Sequence, residues 1–213
     1  MKKINLIDAV IDFLSSDAAG DSKGIYHPEI VKVHLNNVFN SVVYNTWLNG
    51  KKFSDFSQLD AWSRTYECTI VTQTHALLPF APIQLPDNMG IRQVCDHADN
   101  TNVFAYMEAT GNVVFAELDV NTMDSTPTFR LEQNNLSVGA GEPSHMLRLE
   151  KLPTPLGIIT SVDVMLIVPM DQVDDYDDIS MPQELGDNIV RQVIDLMSKK
   201  QSPDILNDQV NQK

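Results

Sequence analysis

Between residues 66 and 169 the sequence consists of short apolar segments in which hydrophobic residues recur with a period near two. This period is typical of β-strands, whose successive side chains point to opposite faces of a sheet. Prolines and turn-forming residues separate the segments, and no helical segment of useful length intervenes. A parallel, doubly wound sheet needs a helix between consecutive strands, so the pattern favours an antiparallel β-sandwich or barrel instead. The predicted strands are residues 66–74, 90–96, 102–109, 112–120, 128–133, 145–151 and 161–169.

Two amphipathic helices are predicted ahead of the strands. In the first, apolar residues recur at helical spacing within INLIDAVIDFLSS, residues 4–16. The second begins at Pro28, because proline suits a first helical turn, runs to about Trp47 and ends near Asn49 and Gly50. Two helices of this kind, joined by a short loop, have apolar faces that must pack on something.

One more helix is predicted after the strands. Ser180 and Gln183 match a capping box, Pro182 suits the first turn, and an apolar stripe follows. Residues 202–213 then form a polar tail with almost nothing to bury. We therefore predict an α+β fold in three segments: an N-terminal helical pair in residues 1–62, a central antiparallel β-sandwich or barrel in 63–170, and an acidic loop, C-terminal helix and extended tail in 171–213.

The charge of the chain argues against several functions. The formal net charge is -14, and residues 93–213 hold 20 of the 29 acidic side chains. A protein that grips nucleic acid presents a basic patch, because neutralising phosphates drives its affinity, so direct DNA or RNA binding is disfavoured. No apolar run reaches the roughly 18 residues of a membrane span. Asp8 and Asp12 interrupt the first apolar stretch, which is better explained as an amphipathic helix than as a signal peptide.

No catalytic, cofactor or metal site is predicted. The aspartate-rich stretch 171–180 lacks the glycine turn of a calcium loop, so a solvated acidic loop is favoured over a bound cation. Gly139 and Gly141 lack the third glycine and the strand–helix setting of a dinucleotide site. Cys68 and Cys95 are interpreted as reduced structural cysteines. Neither a G-x-S-x-G elbow nor an H-E-x-x-H pair is present, so we do not expect an enzyme.

The proline-rich segment, LLPFAPIQLP at residues 77–86, has two interpretations. It is apolar and cannot be an ordinary central strand, because proline supplies no donor to the hydrogen-bond ladder. It is either an extended segment along the edge of the core or an arm that lies on a neighbouring subunit.

Taken in order, these pieces resemble a known family. The helical pair INLIDAVIDFLSS and YHPEIVKVHLNNVFNSVVYNTW is followed by THALLPFAPIQLPDNMGIRQVC, by strands that end in VDVMLIVPMD, and by MPQELGDNIVRQVIDLMSKK with QSPDILNDQVNQK behind it. This order is similar to that of virion structural proteins of the crAss-like tailed bacteriophages, in particular the ring-forming proteins of the neck that join portal to tail. The resemblance spans most of the chain and is best at the ending, Pro203 to Asp208, while residues 93–150 carry no matching signature.

The resemblance implies a non-enzymatic structural protein of the virion, made in the cytoplasm of the host bacterium. Such a chain would form a homo-oligomeric ring, typically twelvefold, in the neck or upper tail. Its partners would be the portal and other neck and tail proteins, with DNA passing nearby without specific binding and no membrane or cofactor involved. An acidic surface facing the channel would repel the passing duplex.

The first and last helices and the tail are the segments predicted to contact neighbouring subunits. These helices have an apolar face with little local partner in the sequence, and a head-to-tail ring needs two different patches on each subunit. The expected interface residues are Ile7, Ile11, Leu14, Leu185, Ile189, Val193, Ile205, Leu206 and Val210. The alternative is a β-sandwich binding module, such as a capsid or tail decoration protein that contacts glycans. That alternative predicts exposed aromatic side chains on the strand loops.

Overall fold

A computed structural model describes residues 1–17, 27–72, 74–107, 127–133, 145–150, 152, 159–179 and 181–200. The predicted strand 112–120, the glycines 139 and 141, the cap at Ser180 and the tail 202–213 lie outside the described residues. The chain divides into two compact units. The helical unit combines Met1–Ala61 with Pro169–Lys213, and the barrel unit is Trp62–Val168.

The helical unit is built from three long helices that pack against one another in pairs. They are α1 (Lys3–Asp17), α2 (Pro28–Phe53) and α4 (Gln183–Lys200), and the short helix α3 (Ser57–Trp62) ends at the boundary of the two units. Each long helix turns an apolar stripe inward, as its periodicity predicts. The buried side chains include Leu6, Ile7, Val10 and Leu14 of α1, Val31, Leu35, Val38, Phe39, Val43 and Trp47 of α2, and Ile189, Val193 and Met197 of α4.

Helix α2 begins where it was predicted to begin but ends later. At its start His27 Nδ1 accepts a hydrogen bond from the Glu29 N–H, and Pro28 occupies the first turn. At its end Ser54 adopts a left-handed conformation, with φ of 55°, and donates its N–H to the carbonyl of Gly50. A Cβ at Gly50 would lie 2.6 Å from the Phe56 ring, so this glycine permits a close approach inside the last turn instead of ending the helix.

The barrel unit contains one seven-stranded sheet with the order β3-β7-β1-β2-β6-β5-β4. An isolated bridge between Cys95 of β3 and Val103, just before β4, joins its two edges and nearly closes the barrel. All pairs of strands are antiparallel except β4 and β5, which are parallel. The predicted α+β class with a central sandwich or barrel is confirmed, and the sheet is mixed. The strands are β1 (Arg64–Thr72), β2 (His75–Leu77), β3 (Ile91–Asp96), β4 (Ala105–Tyr106), β5 (Thr128–Gln133), β6 (His145–Glu150) and β7 (Ser161–Leu166).

The interior of the barrel follows from strand alternation. In β7, Val162, Val164 and Leu166 are fully buried, while Asp163 and Met165 between them are partly exposed. The same core holds inward-facing residues of the other strands: Cys68, Ala76, Leu78, Ile91, Val94, Phe104, Phe129, Leu147 and Leu149. The interior is therefore a packed core of apolar side chains.

The proline-rich segment lies along this core, as the first of its two interpretations predicts. Leu78, Ile83 and Leu85 are buried, and the Phe80 ring packs edge-on against Tyr66 at 5.4 Å. The Ile83 N–H donates to the carbonyl of Ile167 at 2.9 Å. The apolar side chains of this segment are thus covered by its own barrel.

Candidate interaction surfaces

Large apolar side chains that remain exposed are concentrated on the helical unit. Of the ten such side chains among the described residues, only Val71 and Val103 belong to the barrel unit. Water-exposed apolar side chains that cluster on one part of a protein mark interaction sites more often than scattered ones do. The eight on the helical unit are Phe13, Ile30, Val33, Tyr44, Leu48, Phe53, Tyr176 and Leu196.

The first of these surfaces is the outer face of α2, defined by Ile30, Val33, Tyr44 and Leu48. These residues are three, eleven and four positions apart, so they recur on one side of the helix, away from its buried stripe. Val33 is 58% exposed and Leu48 is 43% exposed. Helix α2 therefore carries apolar residues on two faces, and only one of them is covered within the helical unit.

The second surface is a groove of about 360 Å³ between α1 and α4. Apolar side chains of both helices line it, and three charged residues of α4 stand at its rim. Phe13 is half exposed there, so the groove opens to solvent. The lining residues are Ala9, Phe13, Val190 and Ile194, with Asp187, Arg191 and Asp195 as the charged ones.

Four of the nine interface residues expected from the sequence are buried within the helical unit. Ile7, Leu14, Ile189 and Val193 are between 0% and 3% exposed, because α1 and α4 cover each other's apolar stripes. In this conformation those four side chains are too deeply buried to contact a neighbouring subunit. Ile11 and Leu185 are partly exposed, and Ile205, Leu206 and Val210 lie outside the described residues. The sequence analysis did not predict the outer face of α2, whose four apolar residues are separated by polar ones on that face and are weaker as a pattern than the buried stripe of the same helix.

The acidic loop, residues 171–178, is tied to the start of the chain. The Asp175 carboxylate forms ion pairs with Lys32 at 2.7 Å and with Lys3 at 3.3 Å. The backbone carbonyl of Asp175 accepts a hydrogen bond from the Ile4 N–H at 2.7 Å. The Lys3 ammonium also donates to the carbonyl of Val173 at 2.7 Å. The hydrogen bond from Lys32 lowers the pKa of Asp175. This part of the loop is a structural clasp inside the helical unit, which differs from the fully solvated loop expected.

One polar cluster on the barrel has partial likeness to a catalytic site. His97 Nδ1 lies 2.9 Å from Asp163 Oδ1, and Nε2 lies 3.7 Å from Glu67 Oε1. The hydrogen bond to Asp163, aided by the charge of Glu67, raises the pKa of His97. In a catalytic triad the second ring nitrogen faces a hydroxyl or thiol, whereas here it faces another carboxylate. The cluster is therefore an exposed ion-pair network in which each ring nitrogen of the histidine faces a carboxylate.

Two neighbouring arginines of the barrel, Arg130 and Arg148, do not form a basic patch. Arg130 and Arg148 are cross-strand neighbours on β5 and β6, and carboxylates flank both. Arg130 Nε lies 2.6 Å from Glu132, and Arg148 Nε lies 3.2 Å from Glu150. Their charges are neutralised within the sheet, which removes them as a surface for nucleic acid.

Neither cysteine is suited to nucleophilic chemistry. Burial, with smaller contributions from Asp163 and Glu67, raises the pKa of Cys68 to about 12. Burial likewise raises the pKa of Cys95. Within the described ranges, no group of three or more histidine, cysteine, aspartate or glutamate side chains could hold a metal ion. Among those same residues, no helix has both the length and the apolarity needed to cross a membrane.

Comparison with known proteins identifies no relative. The sequence matches no protein-family model and no curated protein, and the fold matches no solved structure.

Proposed function

We propose that this chain is a non-enzymatic structural subunit of a phage virion, which assembles as a homo-oligomeric ring in the neck or upper tail between portal and tail. The observation that carries the proposal is the concentration of exposed apolar side chains on the helical unit, in two separate places. A subunit of a ring within a stack needs contacts on several sides: with the copies beside it and with the proteins above and below.

Electrostatics supports the position beside DNA. The net charge of -14 and the neutralised arginines leave a surface that repels a duplex, which suits a channel that DNA must traverse without sticking. Localisation in the virion, twelvefold symmetry and contact with the portal rest on the resemblance of the sequence to neck proteins.

The alternative of a glycan-contacting decoration module has less support. Such modules present exposed aromatic rings on strand loops, because sugars stack on them. In the described part of the barrel unit no aromatic side chain is exposed, whereas Phe13, Tyr44, Phe53 and Tyr176 of the helical unit are.

The decisive experiment is a cryo-electron microscopy reconstruction of the portal–tail region of purified virions. A symmetric ring whose density fits this chain is the expected result. Density confined to the capsid exterior or to the tail tip would overturn the proposal and favour the decoration module.

A second experiment tests the outer face of α2. Val33→Asp with Leu48→Asp places two charges on this face and should weaken incorporation into virions at least tenfold, since each side chain loses about 1–2 kcal/mol of apolar burial. Both positions are exposed in the isolated unit, so the circular dichroism spectrum should not change. The matched control, Asn45→Asp with Asn49→Asp, adds the same charges at exposed polar positions of the same helix, on the side away from Val33 and Tyr44. Equal incorporation of the two double variants would contradict a role for this face.

A further inference from the structure

The groove between α1 and α4 has the properties of a binding site for a short peptide. Its volume of about 360 Å³ matches a few side chains, and Val190, Ile194 and the half-exposed Phe13 give it an apolar lining. Phe13 is half exposed and Val190 partly exposed in this concave place, whereas Ile194 forms its buried floor, and exposed apolar surface of this kind is unfavourable unless something covers it.

The rim of the groove adds a charge requirement. Arg191 stands between Asp187 and Asp195, four residues from each along α4. Among the described residues, Arg191 has no carboxylate oxygen within 4.0 Å, so its guanidinium is not paired there. Asp187 and Asp195 also lie at the rim, so a carboxylate of an occupant is favourable only where it reaches Arg191 itself, with its apolar side chains against the lining.

The chain itself carries a segment of this composition. Residues 201–213 follow α4 directly and read QSPDILNDQVNQK. Ile205, Leu206 and Val210 are its apolar residues, and Asp204 and Asp208 flank them. Three apolar side chains among so many polar ones cannot form a core of their own, so they can be buried only against another surface.

We propose that the groove between α1 and α4 binds residues 201–213 of a neighbouring copy of this chain. Ile205, Leu206 and Val210 enter the apolar lining, and an aspartate of the segment pairs with Arg191. This inference rests on the proposed function, because a closed head-to-tail ring needs two different patches on each subunit, and the groove and the segment are such a pair. The segment spans about 40 Å when extended, which is enough to pass from one subunit to the next.

The test uses two variants of the full chain in sedimentation velocity. Phe13→Asp blocks the groove and leaves the segment intact, whereas Ile205→Asp with Leu206→Asp breaks the segment and leaves the groove intact. We expect the unaltered chain to sediment as an oligomer and each variant alone to sediment as a monomer of 23.8 kDa. Mixed in equal amounts, the two variants should form a dimer of about twice that mass, because one intact groove meets one intact segment.

Two control variants test whether added charge alone dissolves the oligomer. Ser15→Asp lies on an exposed position of α1, and Asn207→Asp with Gln209→Asp lies among the polar residues of the segment. Both controls should sediment like the unaltered chain. Circular dichroism establishes that every variant keeps its helices.

The outcomes separate this inference from the proposed function. An oligomeric chain whose groove and segment variants remain oligomers would overturn the inference and leave the ring intact. Variants that are monomers alone and form no dimer when mixed would overturn the assignment to a neighbouring copy and place the contact within one chain. An unaltered chain that stays monomeric at micromolar concentration would overturn the ring together with the inference.

Discussion

Replacing Gly90 with alanine tests how the proline-rich segment is held on the barrel. A Cβ at Gly90 would overlap the backbone carbonyl oxygen of Ile83 and lie 3.1 Å from the carbonyl carbon. Neither atom belongs to a flexible side chain, so the segment or the turn before β3 must shift. Two hydrogen bonds meet at this place, from the Ile83 N–H to Ile167 and from the Ile167 N–H to Gly90, each at 2.9 Å.

The size of the effect depends on which response costs less. Detaching the segment loses one hydrogen bond of about 1 kcal/mol, from the Ile83 N–H, and the burial of Ile83 and Leu85, worth about 1.5–3 kcal/mol each, so it costs about 4–7 kcal/mol. Both side chains are only 6–7% exposed, so nearly all of that burial is at stake. Overpacking with a local backbone shift costs about 1–3 kcal/mol. The local backbone shift costs less free energy than detachment of the segment, so we expect the shift to occur and the Gly90→Ala variant to lose about 1–3 kcal/mol of unfolding free energy.

Urea unfolding followed by circular dichroism measures this loss. The matched control is Gly186→Ala, whose Cβ would meet the side-chain sulfur of Met1 at 2.8 Å. That sulfur sits near the end of a flexible side chain, and alanine is favoured over glycine inside a helix by about 1 kcal/mol, so the control should change stability little or raise it. A Gly90→Ala variant as stable as the unaltered chain would refute the close approach of the segment to this glycine.

Two further predictions concern charged groups. Because the Lys32 hydrogen bond lowers the folded-state pKa of Asp175 below 3.8, its contribution to stability is present above that value and lost as the pH falls through the folded-state pKa. Asp175→Asn should therefore be less stable than the unaltered chain in urea at pH 7, and a gap that persisted unchanged in strong acid would contradict the clasp. Because Asp163 raises the pKa of His97 above 6.5, this pair stabilises fully below 6.5 and the contribution is lost as the pH rises through the folded-state pKa. In NMR titrations, Asp163→Asn should bring the pKa of His97 back towards 6.5, and an unmoved titration curve would exclude the pairing.

The long elements of the fold could be predicted because local patterns specify them. In β7, alternating valines mark one face of a strand, and those side chains are the fully buried ones. In α4, Ile189 and Val193 are one turn apart and lie together in the core of the helical unit. Where burial follows a regular period, the sequence is sufficient to give the element and its inward face.

The bounds and pairing of the short strands could not be predicted, because distant residues set them, although β4 lies within the strand predicted at 102–109. Strand β2 spans three residues, and the two residues that separate it from β1 in the sequence, Gln73 and Thr74, include none of the residue types typical of tight turns: glycine, proline, asparagine and aspartate. The run predicted as one strand, 66–74, therefore ends inside a hairpin. Strand β4 is shorter still, and its parallel pairing joins Ala105 to Thr128 across more than twenty residues.

The candidate surfaces were only partly visible in the sequence. The apolar stripes on α1 and α4 predict contacts with neighbouring subunits, but periodicity reveals an apolar face without revealing what covers it, and in the structure the two helices cover each other. The outer face of α2 was not predicted as a surface, although Ile30, Val33, Tyr44 and Leu48 recur there opposite the buried stripe and remain exposed. The clasp links Asp175 to lysines more than 140 positions earlier, a distance at which no local pattern can report an ion pair.

The division of the chain into units has a consequence for its synthesis. The helical unit is assembled from both ends of the chain, and the barrel is an insertion between Ala61 and Pro169. On the ribosome, α1 and α2 emerge first and must wait for α4 while the whole barrel is made, which takes about 5–20 s at usual translation rates. During that delay their apolar stripes are not covered by α4 and are open to chaperones.

The ends of the insertion are close together, since Arg64 and Leu166 are partners in the first and last strands, so a linker of a few residues could replace the barrel. Such a deletion would let the three helices meet without the delay.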